Sequence, residues 1–216
     1  MKKLVVILFF IVMTEGVGFA EEPYWAEHGI KLDGLTPAQT TVLEETINSI
    51  GNLPPKKVAI NTAIYIRLSR FQRLYGFSFE GKTIKNWILR RVKSITHQNT
   101  WTVAVNDSQG DFKIGDRFFE KADFMERAYT LIHEARHSDG DGYSHVRCPE
   151  SFRYVSAGSP DIDLIAVEAC DDRGDGAYGF QSAFLFELYA RDIANQQEAG
   201  LLYNGSVARI VGNKKE

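Results

Sequence analysis

The sequence predicts an α+β domain: a small mixed sheet, an active-site helix, and a long C-terminal helix that backs it. Three observations lead there. Apolar residues recur at helical spacing over 36–50 and 81–95, and again late in the chain, while β-branched and aromatic runs gather in the middle. Glycine and proline clusters at 51–55, 139–142 and 174–179 separate the segments. The 216 residues contain no internal repeat or low-complexity tract, which fits one domain with one core.

Taken in order, Thr36 and Pro37 open a first helix, because a threonine can cap the free N–H groups and proline suits the first helical position. It runs to about residue 50. Residues 57–60 alternate as a strand does, and part of 61–71 reads as strand or helix. Residues 81–95 form a basic amphipathic helix through Ile84, Trp87, Ile88 and Val92. Trp101 to Val105 is the best strand in the chain, stopped by Asn106 and Asp107, and 112–119 offers a second. A helix follows from about 123 to 138, ended by Asp139-Gly140-Asp141-Gly142. A loop carrying His145 and Cys148 leads to a short apolar segment over 159–167. The glycine-rich stretch 174–179 enters the final helix, about 178–197, and 201–211 suggests a small edge strand.

The N-terminus reads as a signal peptide over residues 1–20: Lys2 and Lys3, then an apolar run from 4 to 13, then small residues before Glu21. That run is too short to span a bilayer, so the expected product is residues 21–216, secreted or periplasmic, with no stable membrane span. The net charge of −3 becomes −4 once Lys2, Lys3 and Glu15 are removed, which argues against nucleic-acid binding. Cys148 and Cys170 are the two cysteines, and in an exported chain they are expected to form a disulfide.

The run His133-Glu134-Ala135-Arg136-His137 carries the chemistry. On a helix, residues four apart share a face, so His133 and His137 can offer two imidazoles to one metal ion. Glu134 is turned away from that pair but close enough to reach a metal-bound water, which makes it the candidate general base. The run resembles the helix of H-E-x-x-H zinc peptidases, with charged residues at Arg136 and Asp139 where those enzymes usually carry uncharged and apolar ones. The string Asp175-Gly176-Ala177-Tyr178-Gly179 resembles the D-x-x-Y-G pattern of the aspzincins, the deuterolysin-like peptidases.

The resemblance implies a zincin-like fold, Zn2+ as cofactor, Asp175 as third metal ligand and Tyr178 as the group that stabilises the transition state. Asp171, next to Cys170, stands close behind Asp175 as a ligand. His145, in His137-x-x-Gly140-x-x-x-x-His145, and Glu168 remain further candidates; for His145 the turn is two residues longer than the metzincin pattern allows. The expected activity is zinc-dependent hydrolysis of a peptide or protein substrate. The zinc activates water, Glu134 moves the proton, and the metal with Tyr178, and Arg136 as a further candidate, stabilises the oxyanion. A strand before the helix can lie along the cleft and pair with extended substrate. The charged Arg136 and Asp139 keep a second reading in view, a catalytically silent zinc-binding module. A secreted structural domain without metal is a third.

Overall fold

The computed structural model describes residues 23–99, 103–150, 155–156 and 159–212. The expected signal peptide, and residues 101–102 of the expected strand, lie outside these. Helix α1 (Pro23–Glu27) and strand β1 (Lys31–Asp33) lead to α2 (Pro37–Gly51), which opens on a complete capping box between Thr36 and Gln39. Three helices follow: α3 (Thr62–Leu68), α4 (Phe71–Tyr75) and α5 (Gly81–Leu89). Strands β2 (Ser94–His97), β3 (Ala104–Asn106) and β4 (Asp111–Ile114) complete a four-stranded sheet in the order β1-β2-β4-β3. The first three strands in that order are parallel, and β3 runs antiparallel to β4 at the edge.

Helix α6 (Asp116–Glu120) precedes α7 (Phe124–His137), which carries the histidine motif. A 3-10 turn (Asp141–Tyr143) then leads into two small hairpin-like pairs. One joins β5 (Val146–Arg147) to β8 (Glu168–Cys170), the other β6 (Val155–Ser156) to β7 (Ser159–Asp163). Helices α8 (Ala177–Ala190) and α9 (Gln196–Ala208) close the chain.

Several expected elements differ. Residues 57–60 form no strand, and Asn61 caps α3 instead by accepting from the N–H groups of Ala63 and Ile64. The helix expected over 81–95 stops at Leu89, and Ile95 becomes the buried centre of β2, opposite Leu32 and Phe112. Apolar residues there obey the strand period as well as the helical one, so periodicity alone does not separate them. The strand expected over 112–119 ends at Ile114, because Gly115 starts α6. The final helix breaks at Arg191, where Asp192 turns the chain with φ +52°, and the expected edge strand over 201–211 is mostly α9. What survives of that strand is one parallel bridge between Asp171 and Ile210.

The core lies between the sheet and the helices. Helix α2, with Leu43, Ile47 and Ile50, packs on α5, with Ile84, Trp87 and Ile88, and Phe112 and Ile114 of β4 share the same buried cluster with Leu131 and Ile132 of α7. Every residue of α8 except Tyr189 is buried, so this helix backs α7 as a central element rather than an amphipathic surface one. No helix among the described residues is long and apolar enough to cross a membrane.

Cys148 and Cys170 form a disulfide that closes a loop of 22 residues beside the β5–β8 pair, as expected for a chain in an oxidising compartment. On chain entropy alone it stabilises the fold by about 3 kcal/mol. Replacing both cysteines with serine is expected to cost about that much in a urea titration; a loss below about 1 kcal/mol would show that the unbridged chain already holds the loop closed.

Candidate metal centre

Helix α7 is set in place at both ends. Asp123 accepts from the N–H of Glu126 at its start, and after Ser138 the chain reverses at Gly140, whose φ of +119° an L side chain would rarely adopt. One face, with Ala128, Leu131, Ile132 and Ala135, packs into the core. The opposite side carries His133, Glu134, Arg136 and His137, all between 6 and 8% exposed. Four polar side chains buried on one helix end require partners, and the chain supplies each of them.

The 3-10 turn after Gly140 folds the backbone back beneath the helix. It brings the carbonyl of Tyr143 to 2.7 Å from Nδ1 of His137, and His145 to 3.0 Å from His133 between their Nε2 atoms. The metal-binding atoms of His133, His137 and His145 all lie within 4.8 Å of one another. His145 thus joins the pair predicted from the helix. The turn between Gly140 and Tyr143 takes up the two residues by which this spacing exceeds the metzincin one.

Each ring has an acceptor behind it. Nδ1 of His137 faces the Tyr143 carbonyl, and Nδ1 of His145 faces Oδ1 of Asp171 at 2.9 Å. Nδ1 of His133 lies 2.8 Å from Oε1 of Gln181, whose amide nitrogen donates to Ser206 Oγ, which in turn donates to the Leu202 carbonyl. A carbonyl and a carboxylate can only accept, so each Nδ1 carries the proton and each Nε2 turns its other side to the shared centre. Burial holds His133 well below the usual imidazole range and His137 down at about 4, with the neighbouring His145 adding to both effects. These two rings are therefore neutral at neutral pH, the form a metal requires.

The carboxylates expected as third ligand sit elsewhere. Asp171 is 2% exposed and spends one oxygen on His145 and the other on the N–H of Tyr178, so it stands behind a histidine rather than beside the other two. Asp175 is gripped by Arg173 at 2.6 and 2.8 Å and lies 3.7 Å from Arg136; the hydrogen bonds from Arg173 hold its carboxyl below the usual range. Glu168 is exposed and faces Arg147. The Tyr178 ring stacks on that of His145 and is set edge-on to that of His133, with its hydroxyl hydrogen-bonded to Arg209.

Asp171 fits only because residue 176 is glycine: a Cβ there would lie 2.4 Å from Asp171 Oδ2. Asp171→Asn is expected to weaken metal binding by about 10–100-fold in a chelator competition, the usual scale for an outer partner. Asp175→Asn is expected to leave it unchanged. Equal effects of the two would show that Asp171 does not orient His145.

The charged residues Arg136 and Asp139 have a structural role. Arg91, Asp139, Arg136, Asp175 and Arg173 alternate in sign along one continuous chain of ion pairs. Arg136, at its centre, also donates Nε to the Asp175 carbonyl and lies flat between the rings of Tyr143 and Phe180. It is thereby committed to holding the 175 loop against α7.

Glu134 points from the same helix turn. Burial pushes its carboxyl up to about 8, opposed by the main-chain N–H of Asn106 on the edge strand. The side chain of Asn106 is fully used. It donates to the Glu134 carbonyl and to Ser138 Oγ, and accepts from the N–H groups of Ser108 and Gly110. This asparagine, which in the sequence reads only as a strand stop, ties edge strand β3 to the motif helix. Gln181 likewise gives no sequence signal: with Ser182 and Glu187 it is one of several polar residues in a mostly apolar helix. Compared with known proteins, the chain matches no family model, no curated protein and no solved structure.

Proposed function

We propose that the protein is an exported, zinc-dependent hydrolase of the zincin type that cleaves peptide bonds. One observation carries the reading: three Nε2 atoms converge while each Nδ1 is tied to its own acceptor. Three histidines with a position left for water are a catalytic zinc set. The residues fit the ion: at a zinc–nitrogen distance of about 2.0–2.1 Å, ligand atoms of a tetrahedral site stand about 3.3 Å apart, close to the 3.0 Å between His133 and His145. Without a cation, their Nε2 lone pairs would repel across the same space. The small mixed sheet with an antiparallel edge strand held against the motif helix also supports a zincin-like architecture, and the disulfide supports export.

Bound by His133, His137 and His145, zinc would supply a Lewis acid and a water of lowered pKa. Glu134, one residue from His133, would serve as the base that accepts a proton from the attacking water and returns it to the leaving amine. The Tyr178 hydroxyl donates toward the oxygen on which negative charge develops. Asp171, Gln181 and the Tyr143 carbonyl keep the three rings in the tautomer and orientation that the site needs. Strand β3, at the end of the sheet and tied to the motif helix by Asn106, is the element proposed to lie along an extended substrate backbone.

The test is elemental analysis of residues 21–216 purified without chelators, followed by a peptide-library digest. One zinc per chain and chelator-sensitive cleavage are expected. Zinc without cleavage would favour a silent binding module, and protein that takes up no metal would end the hydrolase reading.

A further inference from the structure

Beyond the three histidines and Glu134, the structure brings a guanidinium, that of Arg209, to the centre. Arg209 caps the C-terminus of α9, and the backbone after it runs alongside the loop that carries Asp171: the Asp171 N–H donates to the Arg209 carbonyl and the Val211 N–H donates to the Asp171 carbonyl. The residue that steadies His145 and the residue that reaches Tyr178 thus belong to one joined unit. The Arg209 guanidinium lies 4.9 Å from the Tyr178 ring and donates through Nη1 to its hydroxyl. That ring is 4.6 Å from the His133 ring and 5.0 Å from the His145 ring.

The chemistry of this contact has a direction. Arginine has donors and no acceptor, so the phenol oxygen must accept, and the phenol's own hydrogen must be given to another group. A positive charge on the oxygen's lone pair also polarises the O–H and strengthens it as a donor. We infer that Arg209 is a positioning residue of the centre, which fixes the rotation of the Tyr178 hydroxyl and makes it the donor to an anionic oxygen beside the metal. The inference rests on the metal-site reading, and it goes beyond it by making the C-terminal segment part of the site. Arg209 has no place in the motifs through which the sequence announces the centre.

Cobalt-loaded protein gives a readout that does not depend on hydrolysis. Acetohydroxamate places an anionic oxygen on the metal, and its binding is followed in the visible spectrum. Tyr178→Phe and Arg209→Gln are each expected to weaken it by about tenfold, the scale of one charge-assisted hydrogen bond. The double variant is expected to weaken it no further than either single one, because the two act through the same hydroxyl. Arg209→Lys, which keeps the charge and a donor, is expected to recover most of the loss. In peptide hydrolysis, kcat is expected to fall in Arg209→Gln while KM holds, as for an interaction made only in the transition state. Cobalt affinity and the thermal midpoint of the variants control for damage to the fold. Additive losses, or Arg209→Gln binding hydroxamate as wild type does, would overturn the inference. Coupled hydroxamate binding in a protein that cleaves no peptide would support it while overturning the peptidase reading alone.

Discussion

His145→Ala is expected to abolish stoichiometric zinc. His145 brings its Nε2 to 3.0 Å from that of His133, and it owes its position to three devices: the Gly140 reversal, the 3-10 turn, and Asp171 behind its ring. Alanine leaves two histidines on one helix, and two ligands form an incomplete catalytic site. The loss should exceed the 10–100-fold expected of Asp171→Asn, and Asp175→Asn and Glu168→Gln should retain full metal. Zinc measured after dialysis against a weak chelator separates these outcomes. A His145→Ala protein that keeps one zinc, with an Asp175 variant that loses it, would restore the carboxylate ligand that the D-x-x-Y-G string suggests.

Glu134→Gln is expected to keep zinc and the fold while peptide hydrolysis falls by at least about 100-fold, the lower range for a general base. The amide keeps the shape of the carboxyl but cannot take a proton. The same variant has a signature in the metal-free protein. The folded carboxyl of Glu134 is raised to about 8 from an ordinary value of 4.5, so between those two values the folded chain holds a proton that the unfolded chain has released. Its contribution is fully present below about pH 4.5 and is lost as pH rises through about 8. Metal-free wild type should therefore lose stability relative to Glu134→Gln across that window. His133 and His137 act in the opposite sense, destabilising the fold below their ordinary value of about 6.5, but they do so equally in both proteins. Parallel pH–stability curves from denaturant titrations would show that Glu134 is not buried as described, and full activity of the variant would remove it from the base role.

The motif helix was legible because its apolar spacing and the Asp139-Gly140-Asp141-Gly142 terminator mark the same span; the cap that Asp123 supplies at its start emerged only in the structure. The disulfide followed from compartment and count. The third histidine was harder. Spacing patterns encode one turn geometry, and here a 3-10 turn accommodates a longer one, so His145 reaches the centre by a route that a fixed spacing misses. Asp175 carried the better sequence match, yet Arg173 two residues before it and Arg136 on the helix compete for its carboxylate, and that competition exists only in three dimensions. Gln181, Asn106 and Arg209 were invisible for a related reason: each acts on a residue at least 25 positions away in sequence. Among the elements, errors fell where one apolar run served two structures, as when 81–95 became a helix and then a central strand.

The disulfide has a consequence for how the molecule would survive cutting. Cys148 lies three residues after His145 and Cys170 one residue before Asp171, so the bridge spans the chain just outside the histidine and the aspartate that orients it. A protease nick anywhere between the two cysteines would divide the polypeptide into two chains, yet leave them covalently joined within a few residues of the centre. The bond therefore keeps His145 and Asp171 tethered whether or not the backbone between the two cysteines is whole.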